Sequence, residues 1–135
     1  MQFTIERRVS ADKEKVWALI SNFSQSPGKG VGIHVLEQGE SDGKNLVRTV
    51  TIGKMAIKER IDEVVQNESF SYSIIEGPPT KSYKGKAHIS VDGDETIINW
   101  SGDFKTKIPF TGFIVKAVAK KNVTKYVDTV LAGLS

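Results

Sequence analysis

The sequence predicts an α+β protein in which a curved antiparallel sheet of seven strands wraps around one long C-terminal helix. Between residues 31 and about 107, tight-turn signals separate short segments rich in β-forming residues, a pattern that predicts six strands joined as a meander. After Pro109 the apolar residues change to helical spacing, and one stripe runs from Val115 to Leu134. A long helix over residues 110–134 follows from that stripe.

The N-terminal residues predict the first strand and two short helices after it. Residues 3–9 alternate as a strand, and Arg7 falls on the same face as its apolar residues, which indicates a bulge or an inward charge. Ser10 is the expected cap of the first helix, which ends near Asn22. The Pro and Gly residues of segment 26–30 predict a loop before the meander.

Length and composition indicate one ordinary globular domain over residues 1–135. The chain has 39% hydrophobic and 26% charged residues, lacks cysteine, and has a net charge of +3. No signal peptide or membrane-spanning segment is evident, which predicts a cytoplasmic protein without integral membrane association. Six lysines between residues 105 and 125 predict a solvated helix face, with a phosphate- or lipid-facing stripe as the alternative. No aromatic residues interleave them, so nucleic-acid binding is not expected.

The hairpin around Gly53-Lys54 contains the feature that most suggests function. Glycine at the first of two central positions suits a type II′ turn, and the resulting register pairs Arg48 with Glu59. Both residues then lie on a face that is otherwise apolar. Because charged side chains are rarely buried unless paired, the pair is a candidate catalytic site. A buried ion pair that only fixes the strand register is the alternative.

A third carboxylate, Glu76, is a further candidate for this cluster. A two-residue turn at Asn67-Glu68 would place Glu59 opposite Glu76 on the next strand. Two carboxylates beside one arginine should differ in proton affinity, since the arginine stabilises one as the anion and a dry site favours protonation of the other. Such a difference separates a general base from a general acid.

Large aromatic residues on the same face predict a lined cavity, with a solid core as the alternative. A turn centred on Asp92-Gly93 would pair Gly85 with Trp100 and leave space beside the indole. The candidate ligand-binding residues share this inward face or the helix that covers it. They are Val50, Ile57, Ile61, Phe70, Tyr72, Ile74, Tyr83, Trp100, Phe104 and Tyr126.

Other familiar chemistries find little support in the sequence. The two histidines, His34 and His88, do not form a metal-ligand pattern, and no Ser-His-Asp arrangement is evident. The glycines at 28, 30 and 32 precede a strand instead of opening a helix, so a phosphate loop is not expected. We therefore expect neither a metal nor a cofactor.

Several segments of the chain resemble the START-like superfamily, which includes the birch-pollen allergen fold. They are Val9-Ser10-Ala11, Lys15-Val16-Trp17, residues 47–50 and 58–61, residues 72–78, Tyr83 and residues 99–102. They are most similar to the SRPBCC branch of polyketide cyclases, dehydrases and lipid-transport proteins. The resemblance implies a helix-grip fold around an apolar cavity. Residues 47–77 further resemble members related to lachrymatory-factor synthase, in which an arginine and a glutamate at the positions of Arg48 and Glu59 are implicated in proton transfer.

The expected function is binding of a small hydrophobic molecule inside the cavity by a monomer or weak homodimer. Arg48 would polarise an oxygen of the ligand and Glu59 would shuttle a proton, as in a cyclase, dehydratase or isomerase. A carrier or sensor without catalysis is the main alternative, and an interaction module with a collapsed cavity is the third. The sequence leaves enzymatic activity undecided. The Ser26–Gly30 loop and the Gly77-Pro78-Pro79 loop are the candidate entrances.

Overall fold

The computed structural model describes residues 1–134 and confirms the predicted α+β architecture. One seven-stranded antiparallel sheet has the strand order β1-β7-β6-β5-β4-β3-β2. The elements in chain order are β1 (Gln2–Val9), α1 (Lys13–Ile20), β2 (Val31–Glu37), β3 (Val47–Ile52), β4 (Met55–Val65), β5 (Ser69–Glu76), β6 (Thr80–Asp92), β7 (Glu95–Thr106), α2 (Gly112–Leu131) and a 3₁₀ turn (Ala132–Leu134).

Helix α2 lies against the concave side of the sheet because its apolar stripe must be buried. Val115, Tyr126, Val127 and Val130 are its buried residues, and they belong to the same apolar cluster as the inward residues of the strands. At Arg7 the sequence left open a bulge or an inward charge, and the structure shows a continuous β1–β7 register in which the Nε of Arg7 donates to Oδ1 of Asp128 on this helix at 2.9 Å. A carboxylate at the edge of the helix therefore pairs with the arginine.

The prediction of two short helices after β1 was wrong, because the structure has one helix there. Within the described residues, α1 alone lies between β1 and β2, and Asp12 takes its N-cap position in place of Ser10. The following segment contains Pro27 and ends at Gly30 with φ +92°. Proline removes a backbone donor and a left-handed residue ends helical geometry, so a second helix does not form.

The register between β4 and β5 differs from the expected one. The connection is a three-residue loop in which Asn67 has φ +60°, so Val65 pairs with Ser69. A bulge between Ile61 and Glu63 adds a further shift. Together these place Ile74, and not Glu76, opposite Glu59.

The register between β6 and β7 also shifts by two residues from the prediction. Gly93 has φ +61° and takes the first central position of the turn, which pairs Asp92 with Glu95. Trp100 consequently lies opposite Ala87, while Gly85 lies opposite Gly102. The rule that correctly placed the Gly53-Lys54 turn also holds here, because glycine again supplies the positive φ.

No helix within residues 1–134 is long and apolar enough to cross a membrane.

Candidate functional site

A cavity of about 310 Å³ lies between α2 and the concave face of the sheet. Strands β3 to β7 form one wall, and residues 114–126 of α2 form the other. Most of the lining atoms are apolar, while the charged groups Arg48 and Glu59 lie together on the wall. This arrangement of an apolar cavity with a small polar group set is typical of small-molecule sites.

Arg48 and Glu59 form the predicted cross-strand pair of the β3–β4 hairpin. Both residues are buried, with exposed fractions of 2% and 4%. The Nε of Arg48 donates a hydrogen bond of 2.8 Å to Oε1 of Glu59. The Nη2 of Arg48 lies 2.7 Å from the same carboxylate oxygen. The charges therefore compensate each other inside the protein, as buried ions must.

The remaining donors of Arg48 bind two other parts of the chain. Its Nη1 donates to the backbone oxygen of Phe23 at 2.9 Å, and its Nη2 donates to the Tyr126 hydroxyl at 3.3 Å. The guanidinium also lies 5.7 Å and 5.5 Å from the ring centroids of these residues. Arg48 thus joins the hairpin to the segment after α1 and to α2.

The guanidinium of Arg48 remains charged in this environment. Burial by itself lowers the pKa of Arg48, but the carboxylate of Glu59 and the hydroxyl of Tyr126 outweigh that effect. The pKa of Arg48 consequently lies above its ordinary value. Each of its three nitrogens already has a protein partner, so the guanidinium is poorly placed to bind a ligand oxygen as well.

Glu59 presents its second carboxylate oxygen differently. Both contacts from Arg48 use Oε1. Within residues 1–134, no hydrogen bond is made to Oε2, although the residue lines the cavity. A carboxylate oxygen has lone pairs available for an acceptor or base role. The geometry therefore holds the carboxylate through one oxygen and leaves the other for a ligand.

Two tyrosines place hydroxyl groups at the same cavity wall. Tyr72 accepts a hydrogen bond of 2.9 Å from Nε1 of Trp100 and keeps its own proton to donate. Burial, followed by the nearby Tyr83 and Glu59, raises the pKa of Tyr72 well above its ordinary value. Burial and then the charge of Glu59 also raise the pKa of Tyr83. Both hydroxyls therefore stay protonated and can act as hydrogen-bond donors.

Two paired glycines make room for these tyrosines. Gly85 of β6 lies opposite Gly102 of β7. A Cβ atom added at Gly85 would lie 2.1 Å from Cζ of Tyr72, and one at Gly102 would lie 2.7 Å from the Tyr83 hydroxyl. The space at Gly85 therefore serves its cross-strand neighbour Tyr72, and not Trp100 as the predicted register implied.

The structure brings nine of the thirteen predicted site residues to the cavity wall. They are Arg48, Val50, Ile57, Glu59, Tyr72, Ile74, Tyr83, Trp100 and Tyr126. Ile61, Phe70 and Phe104 are buried in the core away from this wall. Glu76 is exposed and outside the cavity, because the bulge and the longer loop moved it past Glu59. Glu76 is therefore corrected from a cluster member to a surface residue.

Sequence reasoning missed the contribution of residues 114–123 of α2 and of two residues before the helix. These lining residues are Ile108, Thr111, Ile114, Val115, Val118, Ala119, Asn122 and Val123. The stripe that begins at Val115 predicts packing against the sheet, and the structure shows that its residues Val115, Ala119 and Val123 also line the cavity. Ile114 and Val118 lie beside that stripe, and their apolar character gave a signal that the helix has a wider apolar face than the core needs.

One of the two candidate entrance loops lies at the cavity mouth. Pro78 and Pro79 line the cavity, together with Ile52 and Met55 from the tip of the β3–β4 hairpin. The Ser26–Gly30 loop instead approaches the far part of α2, where Gly28 faces Thr129 and Gly30 faces Lys125. The mouth therefore lies between the Pro78-Pro79 loop, the hairpin tip and the start of α2.

Within residues 1–134, no three His, Cys, Asp or Glu side chains gather in a geometry that could hold a metal ion. The polar groups on the cavity wall include the Arg48–Glu59 pair, the hydroxyls of Tyr72, Tyr83 and Tyr126, and the side chains of Thr111 and Asn122.

Solved structures with the same fold place this architecture among known proteins. Norcoclaurine synthase from Thalictrum flavum, in complex with dopamine and hydroxybenzaldehyde, matches with a TM-score of 0.80 at 16% identity, covering 99% of this chain and 86% of that one. Ara h 8.0201 has a TM-score of 0.77 at 16% identity and coverages of 96% and 94%. A START superfamily protein from Mycobacterium smegmatis has a TM-score of 0.75 at 17% identity and coverages of 98% and 94%.

No curated protein sequence shows significant similarity to the chain. The family profile described as "Polyketide cyclase / dehydrase and lipid transport", however, matches residues 1–135. Together with the shared fold, this match confirms the resemblance to the START-like superfamily and its SRPBCC branch. The chain belongs to the polyketide cyclase/dehydrase and lipid transport family, whose fold binds hydrophobic ligands.

Proposed function

We propose that the cavity binds a neutral, largely apolar molecule with one carbonyl or hydroxyl group and that Glu59 moves a proton on it. The observation that carries the proposal is the clamp on Glu59, in which Arg48 contacts Oε1 at 2.8 Å and 2.7 Å while Oε2 remains available at the cavity wall. A carboxylate held in this way can act as a general base.

The ligand is neutral because the cavity has no unpaired positive charge for an anion. The charge of Arg48 is compensated by Glu59, and the other nitrogens of Arg48 bind protein acceptors. A ligand carboxylate at the polar wall would meet the carboxylate of Glu59 and lose its own hydration. Apolar ketones, aldehydes and alcohols carry no charge, so they avoid both the repulsion from Glu59 and the loss of an ion's hydration.

Arg48 acts in this proposal as a positioning residue, and the tyrosines replace it as donors to the ligand. A carbonyl oxygen would accept hydrogen bonds from Tyr72 and Tyr83, whose raised pKa values keep them protonated. Glu59 Oε2 would then take a proton from the carbon next to the carbonyl and return it at another position. The developing enolate charge would be stabilised by the two hydroxyls. This sequence amounts to isomerisation. If Glu59 instead returns the proton to a hydroxyl group on the β-carbon, the C–O bond breaks, water leaves and a C=C bond forms, which amounts to dehydration.

Norcoclaurine synthase supports the class of ligand, since its structure holds hydroxybenzaldehyde, a small carbonyl compound, together with dopamine on the same fold. A carrier that holds an apolar ligand without reaction is the second candidate. It is favoured by the predominantly apolar wall and by the full engagement of Arg48 with protein groups.

Proton exchange on a simple probe separates the two candidates. A neutral apolar ketone such as 2-decanone, incubated with the protein in D₂O, should gain deuterium next to its carbonyl faster than with buffer. Glu59→Gln should abolish the excess rate, whereas Glu76→Gln, which changes an exposed carboxylate outside the cavity, should leave it intact. Mass spectrometry of the ketone measures both rates.

Binding must be recorded in the same samples. Displacement of the neutral fluorophore 1-aminoanthracene by 2-decanone reports whether the ketone enters the cavity. Binding without Glu59-dependent exchange would contradict the base role and leave the carrier. Stronger displacement by decanoate than by 2-decanone would contradict the neutral ligand.

A further inference from the structure

Large apolar side chains are exposed around the cavity mouth. Of the ten exposed large apolar residues among residues 1–134, five lie between positions 108 and 118. We call these five the mouth patch: Ile108, Phe110, Phe113, Ile114 and Val118. Three of them also line the cavity, so the patch is continuous with its interior. An exposed apolar surface of this kind marks an interaction site.

Phe110 is the most exposed member of the mouth patch and has an unusual backbone. Its exposed fraction is 95%, and its φ is +66°. A left-handed conformation is costly for a bulky residue and is tolerated most readily by Gly, Asn and Asp. The chain therefore adopts an unfavourable conformation while leaving the aromatic ring of Phe110 in water. Neither the core nor the helix obtains a contact from this ring that would explain the cost.

Positive charge surrounds the mouth patch. Residues 105–121 contain five lysines and no aspartate or glutamate, whereas Lys125 lies near Gly30 at the far part of α2. In the described part of the chain, none of these lysines forms an ion pair with a carboxylate. Lys54 adds a further positive charge beside Met55 at the hairpin tip, and Glu76, two residues before Pro78, adds a negative charge. The rim is therefore apolar at its centre and predominantly cationic around it.

This combination matches the surface of an anionic bilayer. Exposed aromatic and aliphatic side chains enter the boundary between headgroups and acyl chains, and lysines remain at the level of the phosphates. A bilayer also concentrates the neutral apolar molecules that the cavity accommodates. The opening through the patch would let such a molecule pass between membrane and cavity without crossing water.

We propose that the mouth patch docks on the surface of a bilayer that contains anionic phospholipids. The proposal does not depend on the proton transfer assigned to Glu59. In this peripheral membrane site, the lysines are attracted to the anionic headgroups and the apolar side chains of the mouth patch insert between the lipids.

Sedimentation of the full chain with vesicles tests the proposal. The protein should bind vesicles of phosphatidylcholine mixed with phosphatidylserine, bind phosphatidylcholine alone more weakly, and dissociate as salt is added. Phe110→Asn keeps a residue that tolerates positive φ and removes the ring, so it should weaken binding roughly tenfold without loss of stability. Lys107→Gln should weaken binding about fivefold on the mixed vesicles.

Matched substitutions at the other end of the molecule provide the controls. Val91 is 57% exposed at the far end of β6, and Lys15 is exposed on α1. The variants Val91→Ser and Lys15→Gln should bind vesicles as well as the wild type does. The proposal would be overturned if Phe110→Asn bound vesicles as well as the wild type does. It would also be overturned if Val91→Ser lost as much vesicle binding as Phe110→Asn. A protein dimer that Phe110→Asn dissociates, without vesicle binding, would overturn it in favour of a second copy.

Discussion

Arg48 contacts Glu59 through one carboxylate oxygen, with Nε 2.8 Å and Nη2 2.7 Å from Oε1. A bidentate pair would have given each of the two carboxylate oxygens a donor from the guanidinium. The geometry seen here orients the carboxylate and leaves Oε2 for another partner. Since Phe23 and Tyr126 take the other donors of Arg48, the same side chain also connects three segments of the fold.

Removing Arg48 should destabilise the protein by about 3–5 kcal/mol, because Glu59 would remain buried without its partner. The double variant Arg48→Met, Glu59→Leu should recover much of that loss, since no charge then remains buried. Urea denaturation of the two single variants and the double variant measures the coupling. Arg7→Met is the control, because its pair with Asp128 is exposed and should contribute no more than about 1 kcal/mol. Additive effects of the two buried substitutions would contradict the prediction.

A methyl group at Gly85 should displace Tyr72 from the cavity wall. The added Cβ would lie 2.1 Å from Cζ of Tyr72, so the ring must move and the hydrogen bond from Trp100 should weaken. We expect Gly85→Ala to cost about 1–3 kcal/mol in the free energy of unfolding and to reduce 1-aminoanthracene binding. Gly32→Ala is the control, since its Cβ would make an ordinary contact of 3.6 Å. Equal stability of the two variants would refute this role of Gly85.

Alkaline pH should destabilise the fold through the buried tyrosines. The pKa values of Tyr72 and Tyr83 are raised in the folded protein, so the unfolded chain loses these protons first. Their contribution to stability is complete below about pH 10 and is lost as pH rises from there through the folded pKa values. Urea denaturation across this range should show the decline, and Tyr83→Phe should reduce its slope. Ultraviolet titration in which Tyr72 and Tyr83 ionise near pH 10 with the fold intact would exclude this explanation.

Filling the cavity should block ligand binding without destabilising the protein. Ala119 lines the cavity and is half-buried, so the longer side chain of Ala119→Leu can extend into empty space. We expect the affinity for 1-aminoanthracene to fall at least tenfold, a loss of about 1.4 kcal/mol. Ala117→Leu, two residues away on the exposed side of α2, should bind normally. Fluorescence titration measures both variants, and equal affinities would place the fluorophore outside the cavity.

Local turn chemistry explains which parts of the site were accessible from the sequence. The Arg48–Glu59 pairing depends only on a two-residue turn with glycine first, and Gly53 adopts the required positive φ. The β4–β5 register depends on a three-residue loop and a bulge near Asp62, neither of which has an unambiguous signature. Glu76 was misplaced for that reason.

The sequence by itself determined the seven strands, the long apolar helix and the inward Arg48–Glu59 pair, because alternation, helical spacing and turn residues act over short distances. Only the tertiary structure decided that Oε2 of Glu59 faces a cavity, that Gly85 accommodates Tyr72, and that Phe110 lies exposed at the mouth. These features arise where α2 packs across a curved sheet. Residues far apart in the chain set that packing through their combined volumes, which no local pattern specifies.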